Sequence, residues 1–229
     1  MRPIDKGEAP NVRFHRYQDA EAYLEERIGA YCSYCEFPIQ HVPEVEHKEA
    51  KARGGDRLAW SNLLLSCKYC NARKHDIVCA GEKDRYIWPD EEDTFHCFSY
   101  SGDIPKLNED YLMMKESAVR KRAENLYQMV KLENIPRSPQ DKDRRYARRS
   151  YARRCAEQCR AAWEKVMNSA EREEYFNLML ELAKATGFFS VWMDVFQGDG
   201  IVREGLIGAF KGTRREYCED GFKRFKDVL

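Results

Sequence analysis

Four cysteines fall in two pairs, Cys32-x-x-Cys35 and Cys67-x-x-Cys70. Two residues between cysteines let both sulfurs of a tight turn face one cation, and two such turns complete a tetrahedral thiolate site for zinc. The 31 residues between the pairs exceed what a compact zinc ribbon needs, so a functional element is expected between the knuckles. That stretch and the residues just after it carry Glu46-His47, Gly54-Gly55, Asn62-Leu63, Asn71 and His75. A histidine with an unperturbed pKa of about 6.5 is largely neutral at pH 7 and can take a proton from water. A carboxylate offers hard oxygens to magnesium or manganese. Asn71 and His75, four residues apart on a predicted helix, share one face and could share one cation. Arg73 and Lys74 could add positive charge nearby or simply be solvated helix residues.

The elements that must position these groups can be read from pattern. A strand ends at Glu46-His47, a loop turns at Gly54-Gly55, a second strand covers Leu63 to Leu65, and a helix starts near Lys68. In order and spacing, from Tyr31 to Asp76, this segment resembles the HNH endonucleases with the ββα-metal fold. The resemblance implies that His47 is the general base that deprotonates the attacking water. It implies that Glu46 is the first metal ligand, where aspartate or histidine is more usual. Asn62 corresponds to the middle asparagine, which holds the loop and orients the base. Asn71 corresponds to the second ligand, and His75 to a further helical ligand that some members use. The cation, Mg2+ or Mn2+, would contact a non-bridging phosphate oxygen and the leaving 3′ oxygen.

Bulk composition neither adds to nor opposes this. Of 229 residues, 39 are basic and 39 acidic, so net charge makes no case for nucleic acid. No run of 18 or more apolar residues suggests a membrane span. MRPIDKGEAP lacks the apolar core of a signal peptide, which leads us to expect a cytoplasmic protein. Nine cysteines in such a compartment favour metal binding over disulfides.

A short amphipathic helix is expected over Tyr17 to Ala30, and residues 77 to 107 read as irregular chain with short strands around Phe95 to Tyr100. Beyond them the pattern turns helical. Asn108 should cap a helix through Leu112, Val119, Leu126 and Val130, a second should run from about Asp141 to Asn168, and a third from Ser169 should end at Gly187. We therefore expect an α+β protein: a zinc-clipped ββα-metal nuclease core in residues 1–106, then a mainly helical domain in 107–229. On the second helix Ala147, Tyr151, Cys155 and Cys159 should face the core. That turns Arg144, Arg145, Arg148, Arg149, Arg153 and Arg154 toward phosphates as a positive face, the alternative being solvated arginines.

A wider resemblance rests on MRPIDKG, Glu-His in place of Asp-His, the Pro89 to Gly102 stretch and AENLYQMVKL. It points to a bacterial family related to PtuB, the Septu nuclease subunit, with members in retron-associated antiphage systems. It implies a toxic nuclease working with an ATPase partner like PtuA. Phe188 to Phe196 is the candidate partner surface, burial in the protein's own core being the alternative. Two other readings stay open. One is the same chemistry on RNA, for example transfer RNA. The other is a non-catalytic zinc-dependent binding or assembly module, which would need the cysteines but not Glu46, His47 and Asn62.

Overall fold

The Glu44-Val45-Glu46-His47 segment and the leucine run that follows Asn62 pair as an antiparallel hairpin, and a helix starts immediately after it. The structure is a computed structural model that describes residues 1–138 and 140–218. Pro139 and residues 219–229, the end of the expected helical region, lie outside the described residues. In chain order the elements are α1 (Glu21–Ile28), β1 (Glu44–His47), β2 (Leu63–Ser66) and α2 (Lys68–Lys74). They are followed by β3 (Phe98–Ser99), β4 (Lys106–Leu107), α3 (Glu109–Met113) and α4 (Ser117–Val130). The chain continues with α5 (Arg145–Val166), α6 (Arg172–Thr186), α7 (Phe189–Val195) and α8 (Gly200–Ala209). Glu44 stands opposite Ser66 and His47 opposite Leu63. The class is α+β, with a ββα unit at its chemical centre.

The hairpin is buried on both faces. Leu63, Leu64 and Leu65 are all inaccessible to solvent, which is why this strand reads as a continuous apolar run without alternation. Leu24 and Ile28 of α1 join the same core, as do Tyr111 and Leu112 of α3 and Ala123, Leu126 and Val130 of α4. A second cluster joins Cys155, Cys159 and Trp163 of α5 to Met179 of α6, Trp192 of α7 and Leu206 of α8. Neither cluster is confined to one side of residue 106: Phe188 and Val191 belong to the first and Tyr31 to the second. Phe188, Phe189, Trp192 and Phe196 are buried, so the aromatic-rich stretch is core and not an open partner surface. No helix among the described residues is long and apolar enough to cross a membrane.

Two helical expectations change. The helix after Asn108 is two helices. Asn108 caps the first by accepting from the Tyr111 amide, and Glu116, in an extended conformation, restarts the chain before Ser117. The second change concerns the arginines of α5. Arg145 and Arg149 are each 1% exposed, whereas Ala147 and Tyr151 face solvent. Open carbonyls at the end of α4 demand donors, and a helix C-terminus favours cations. Arg145 donates to the carbonyls of Val130 (2.9 Å) and Lys131 (3.0 Å), and Arg149 to those of Leu132 (3.4 Å) and Asp103 (3.2 Å). Asp143 pairs with Arg145 at 2.7 Å in the same buried pocket. Arg153 reaches Asp194 at 3.1 Å. Only Arg144, Arg148 and Arg154 of the six stay exposed, so the expected positive face is corrected to three residues.

Removing one partner of a buried ion pair strands the other, at a cost of about 3–5 kcal/mol. Arg145→Gln should therefore lower the melting temperature by ~6–20 °C. Thermal unfolding followed by circular dichroism checks this. Unchanged melting would mean that the arginine does not hold α5 to the end of α4.

Candidate active site and metal centre

The first knuckle is a turn that follows Tyr31, and the second joins β2 to α2. In the first, Cys32 accepts from the Glu36 amide, with Glu36 at a φ of 66°. In the second, Cys67 caps α2, its sulfur accepting from the Cys70 amide at 3.4 Å. The four sulfurs lie within 4.8 Å of one another, all buried, and Cys35 Sγ is 3.6 Å from Cys67 Sγ. This is the only group of three or more cysteine, histidine or acidic ligands found together among the described residues. A buried quartet of thiols with no basic side chain among the donors fits a tetrahedral soft-ligand metal, with zinc the ordinary occupant. Outside the quartet, the Arg145 guanidinium approaches Cys70 Sγ at 3.3 Å, a donor suited to thiolate charge.

The hairpin loop shows why Asn62 has to be an asparagine. Its Oδ1 accepts from the Glu49 amide (2.8 Å), while its Nδ2 donates to the carbonyls of Glu49 (3.1 Å) and Asp56 (2.7 Å). Only a carboxamide offers an acceptor and two donors from one planar group. Loop 49–56 is thereby tied to the start of β2. Gly55 belongs to the same device, because a Cβ there would lie 2.1 Å from the Glu49 carbonyl oxygen. The next residue, Arg57, presents its carbonyl oxygen 3.1 Å from His47 Nε2. A carbonyl can only accept, so Nε2 carries the proton and Nδ1 keeps the lone pair. Tyr17 packs against the imidazole edge-on, with ring centroids 4.7 Å apart. Burial lowers the His47 pKa from its ordinary value; the hydrogen bond with the Arg57 carbonyl works to raise it but is outweighed, with Lys51, Lys74 and the Arg57 side chain adding to the lowering, which favours the neutral ring at pH 7.

His47 stands on one wall of a groove between the hairpin and α2, whose lining includes Glu44, Glu46, Lys68, Asn71 and His75. Strand alternation puts Glu44 and Glu46 on one face of β1. Glu44 is half-buried and accepts from Asn71 Nδ2 at 2.7 Å. Glu46 is buried, with the Tyr34 hydroxyl donating to Oε1 and Lys74 Nζ 3.2 Å from Oε2. Burial pushes its carboxyl up to about 7 although Lys74 and Tyr34 favour the charged form. Lys74 also donates to the His47 carbonyl at 2.5 Å and is fully buried. The expectation that it faces phosphate is thus corrected, because the Glu46 carboxylate demands a buried counter-charge. Arg73 lines a different depression, with Phe37, Ile39, Tyr69 and Asp141. His75 is mostly exposed at the end of α2, with Nδ1 2.6 Å from Asp76 Oδ1.

The structure thus brings His47, Glu46 and Asn71 to one groove, with His75 at its edge. Glu44 was missed by sequence reasoning, although its place two residues before Glu46 on a strand was the signal. Tyr34 and Tyr17 carried no signal, since only the tertiary packing brings them to the site.

Residues 32–76 match the family model of the HNH endonucleases. A domain of this family indicates a nuclease, a hydrolase acting on nucleic acid. No curated protein and no solved structure matches the chain.

His47, the expected general base, depends on Asn62 only through the loop, so Asn62→Ala should act on the expected reaction more than on the fold. Misplacing a catalytic group by about 1 Å costs ~100-fold in rate. The lost hydrogen bonds should cost about 1–3 kcal/mol of stability. A fall in kcat of that size, with metal content at the cysteines intact, is the expected outcome of steady-state assays and elemental analysis.

Proposed function

We propose that the protein is a metal-dependent endonuclease that hydrolyses phosphodiester bonds, with His47 as general base. The carrying observation is the His47 imidazole, held with Nε2 3.1 Å from the Arg57 carbonyl oxygen, in a groove that also holds carboxylates and a carboxamide. Water in the groove passes a proton to His47 Nδ1, the oxygen forms a bond to phosphorus, and the bond to the 3′ oxygen breaks. A divalent cation, Mg2+ or Mn2+, bound by a β1 carboxylate and Asn71, with His75 close by, would supply compensation for the charge that develops on the phosphate. The family resemblance gives that carboxylate as Glu46. Asn62 keeps the base aimed. Exposed Lys51 and Lys68 at the groove and exposed Arg144, Arg148 and Arg154 on α5 are among the basic residues available to meet phosphates.

Zinc in the cysteine quartet makes the site possible by pinning the start of the hairpin to its end. A biological role as the effector of an antiphage system, restrained or directed by an ATPase, is proposed on the resemblance to the PtuB-related family alone.

The purified protein should carry about one zinc per chain, and Cys67→Ser should lose both zinc and cooperative folding, since such metal sites contribute folding energy directly. Elemental analysis and thermal melts decide this, and a zinc-free protein with full stability would contradict it.

His47→Ala should reduce cleavage of plasmid DNA or total RNA by at least ~100-fold while zinc content stays at the wild-type level. Wild-type cleavage by that variant, on a substrate verified with the unaltered protein, would remove the proposed base.

A further inference from the structure

We propose that Glu44, and not Glu46, is the carboxylate that binds the catalytic divalent cation, with Asn71 as its neighbouring ligand. The inference rests on the nuclease reading above and departs from the position that the family resemblance assigns.

A hard dication needs oxygens whose lone pairs are free and whose surroundings are not already positive. Glu46 meets neither condition. Its Oε1 accepts from Tyr34, its Oε2 is held by Lys74, and the side chain is 2% exposed. Lys74 cannot swing away readily, because it is fully buried and its ammonium also donates to the His47 carbonyl. A dication on Glu46 would have to sit beside that ammonium, or expel it into an apolar interior.

Glu44 meets both conditions. It lies on the same face of β1 but is half-buried where Glu46 is buried. It makes no ion pair among the described residues, and its hydrogen bond with Asn71 uses only Oε2. Asn71 is engaged through Nδ2, which leaves its carbonyl oxygen unused. The structure therefore juxtaposes a carboxylate oxygen and a carboxamide oxygen, both uncommitted, across the groove that His47 lines. The His75 ring stands at the edge of the same groove. On this assignment Glu46 and Lys74 form a positioning pair. They neutralise each other beneath the site and fix the backbone of His47.

The test uses zinc-loaded full-length protein and Mn2+ as the probe. Binding is read from the loss of the free Mn2+ signal in electron paramagnetic resonance, and cleavage is measured in parallel. Glu44→Gln should weaken Mn2+ binding by at least about tenfold, with cleavage partly restored at high Mn2+. Glu46→Gln should bind Mn2+ within about threefold of wild type, a change of under 1 kcal/mol, while melting at lower temperature. Wild-type Mn2+ affinity in Glu44→Gln overturns the assignment, as does a folded Glu46→Gln protein that no longer binds Mn2+. If Glu46→Gln fails to fold, Glu44→Gln alone decides. His47→Ala separates the two levels. Should it cleave like wild type, the nuclease mechanism fails, whereas the Mn2+ measurement still reports which carboxylate holds the ion.

Discussion

Four sulfurs held within 4.8 Å of one another are the constraint on which the rest of this molecule depends. They join a turn before the hairpin to the turn after it, so both ends of a 31-residue excursion are fixed at one point. Without that closure, two four-residue strands and a seven-residue helix would be too short to persist, since isolated hairpins and helices of this size are marginal in water. With it, α2 is laid across β1, and the side chains that line the groove face one another.

In the interior around the excursion, charge is placed where ordinary cores would put apolar groups. Lys74 with Glu46, Lys48 with Asp90, and Arg145 with Asp143 are all buried pairs. For Asp90, burial works to raise the pKa, but Lys6 and Lys48 outweigh it and hold the carboxyl below the usual range. Lys6 in turn donates to the carbonyls of Trp60 and Leu63, at 2.8 Å each, and so clamps the start of β2. Pairs of this kind are weak sources of net stability, because desolvation opposes them. Their directional hydrogen bonds nonetheless select one register for a short hairpin that apolar packing alone would leave loosely specified.

These features were unequally legible in the sequence. The meeting of the cysteine pairs, the place of the Glu-His dipeptide on the groove and the loop tying by Asn62 could be read because the chemistry expected of each requires particular atoms at particular spacings. The glycine pair could be read for the same reason, since Gly55 has no room for a Cβ against the Glu49 carbonyl. The fates of Lys74, Arg145 and Arg149 could not. Pattern reading sends charged residues outward, and what draws these three inward is a set of acceptors supplied by distant segments: the Glu46 carboxylate, the last carbonyls of α4 and the Asp103 carbonyl. The same blindness shifted the buried face of α5. Its C-terminal half follows the apolar stripe through Cys155 and Cys159, and its N-terminal half follows the arginines. The mixture of Glu44 and Glu46 on one strand face was visible as spacing. Which of the two is free was not, because Tyr34 and Lys74 decide it.

The Glu36 carboxylate sits in the first knuckle, where it accepts from the Arg2 amide (2.6 Å), the Ser190 amide (2.8 Å) and the Ser190 hydroxyl (2.6 Å). Ser190 lies 154 residues further along the chain. During synthesis from the N-terminus, the metal turns and the hairpin can assemble from nearby sequence, but this buried acid lacks two of its three donors until α7 has emerged. At elongation speeds of about 5–20 residues per second, that interval is on the order of ten seconds. The first knuckle therefore completes the hydrogen bonds of its buried acid only after most of the helical half exists, although the hairpin it opens is complete much earlier in the chain.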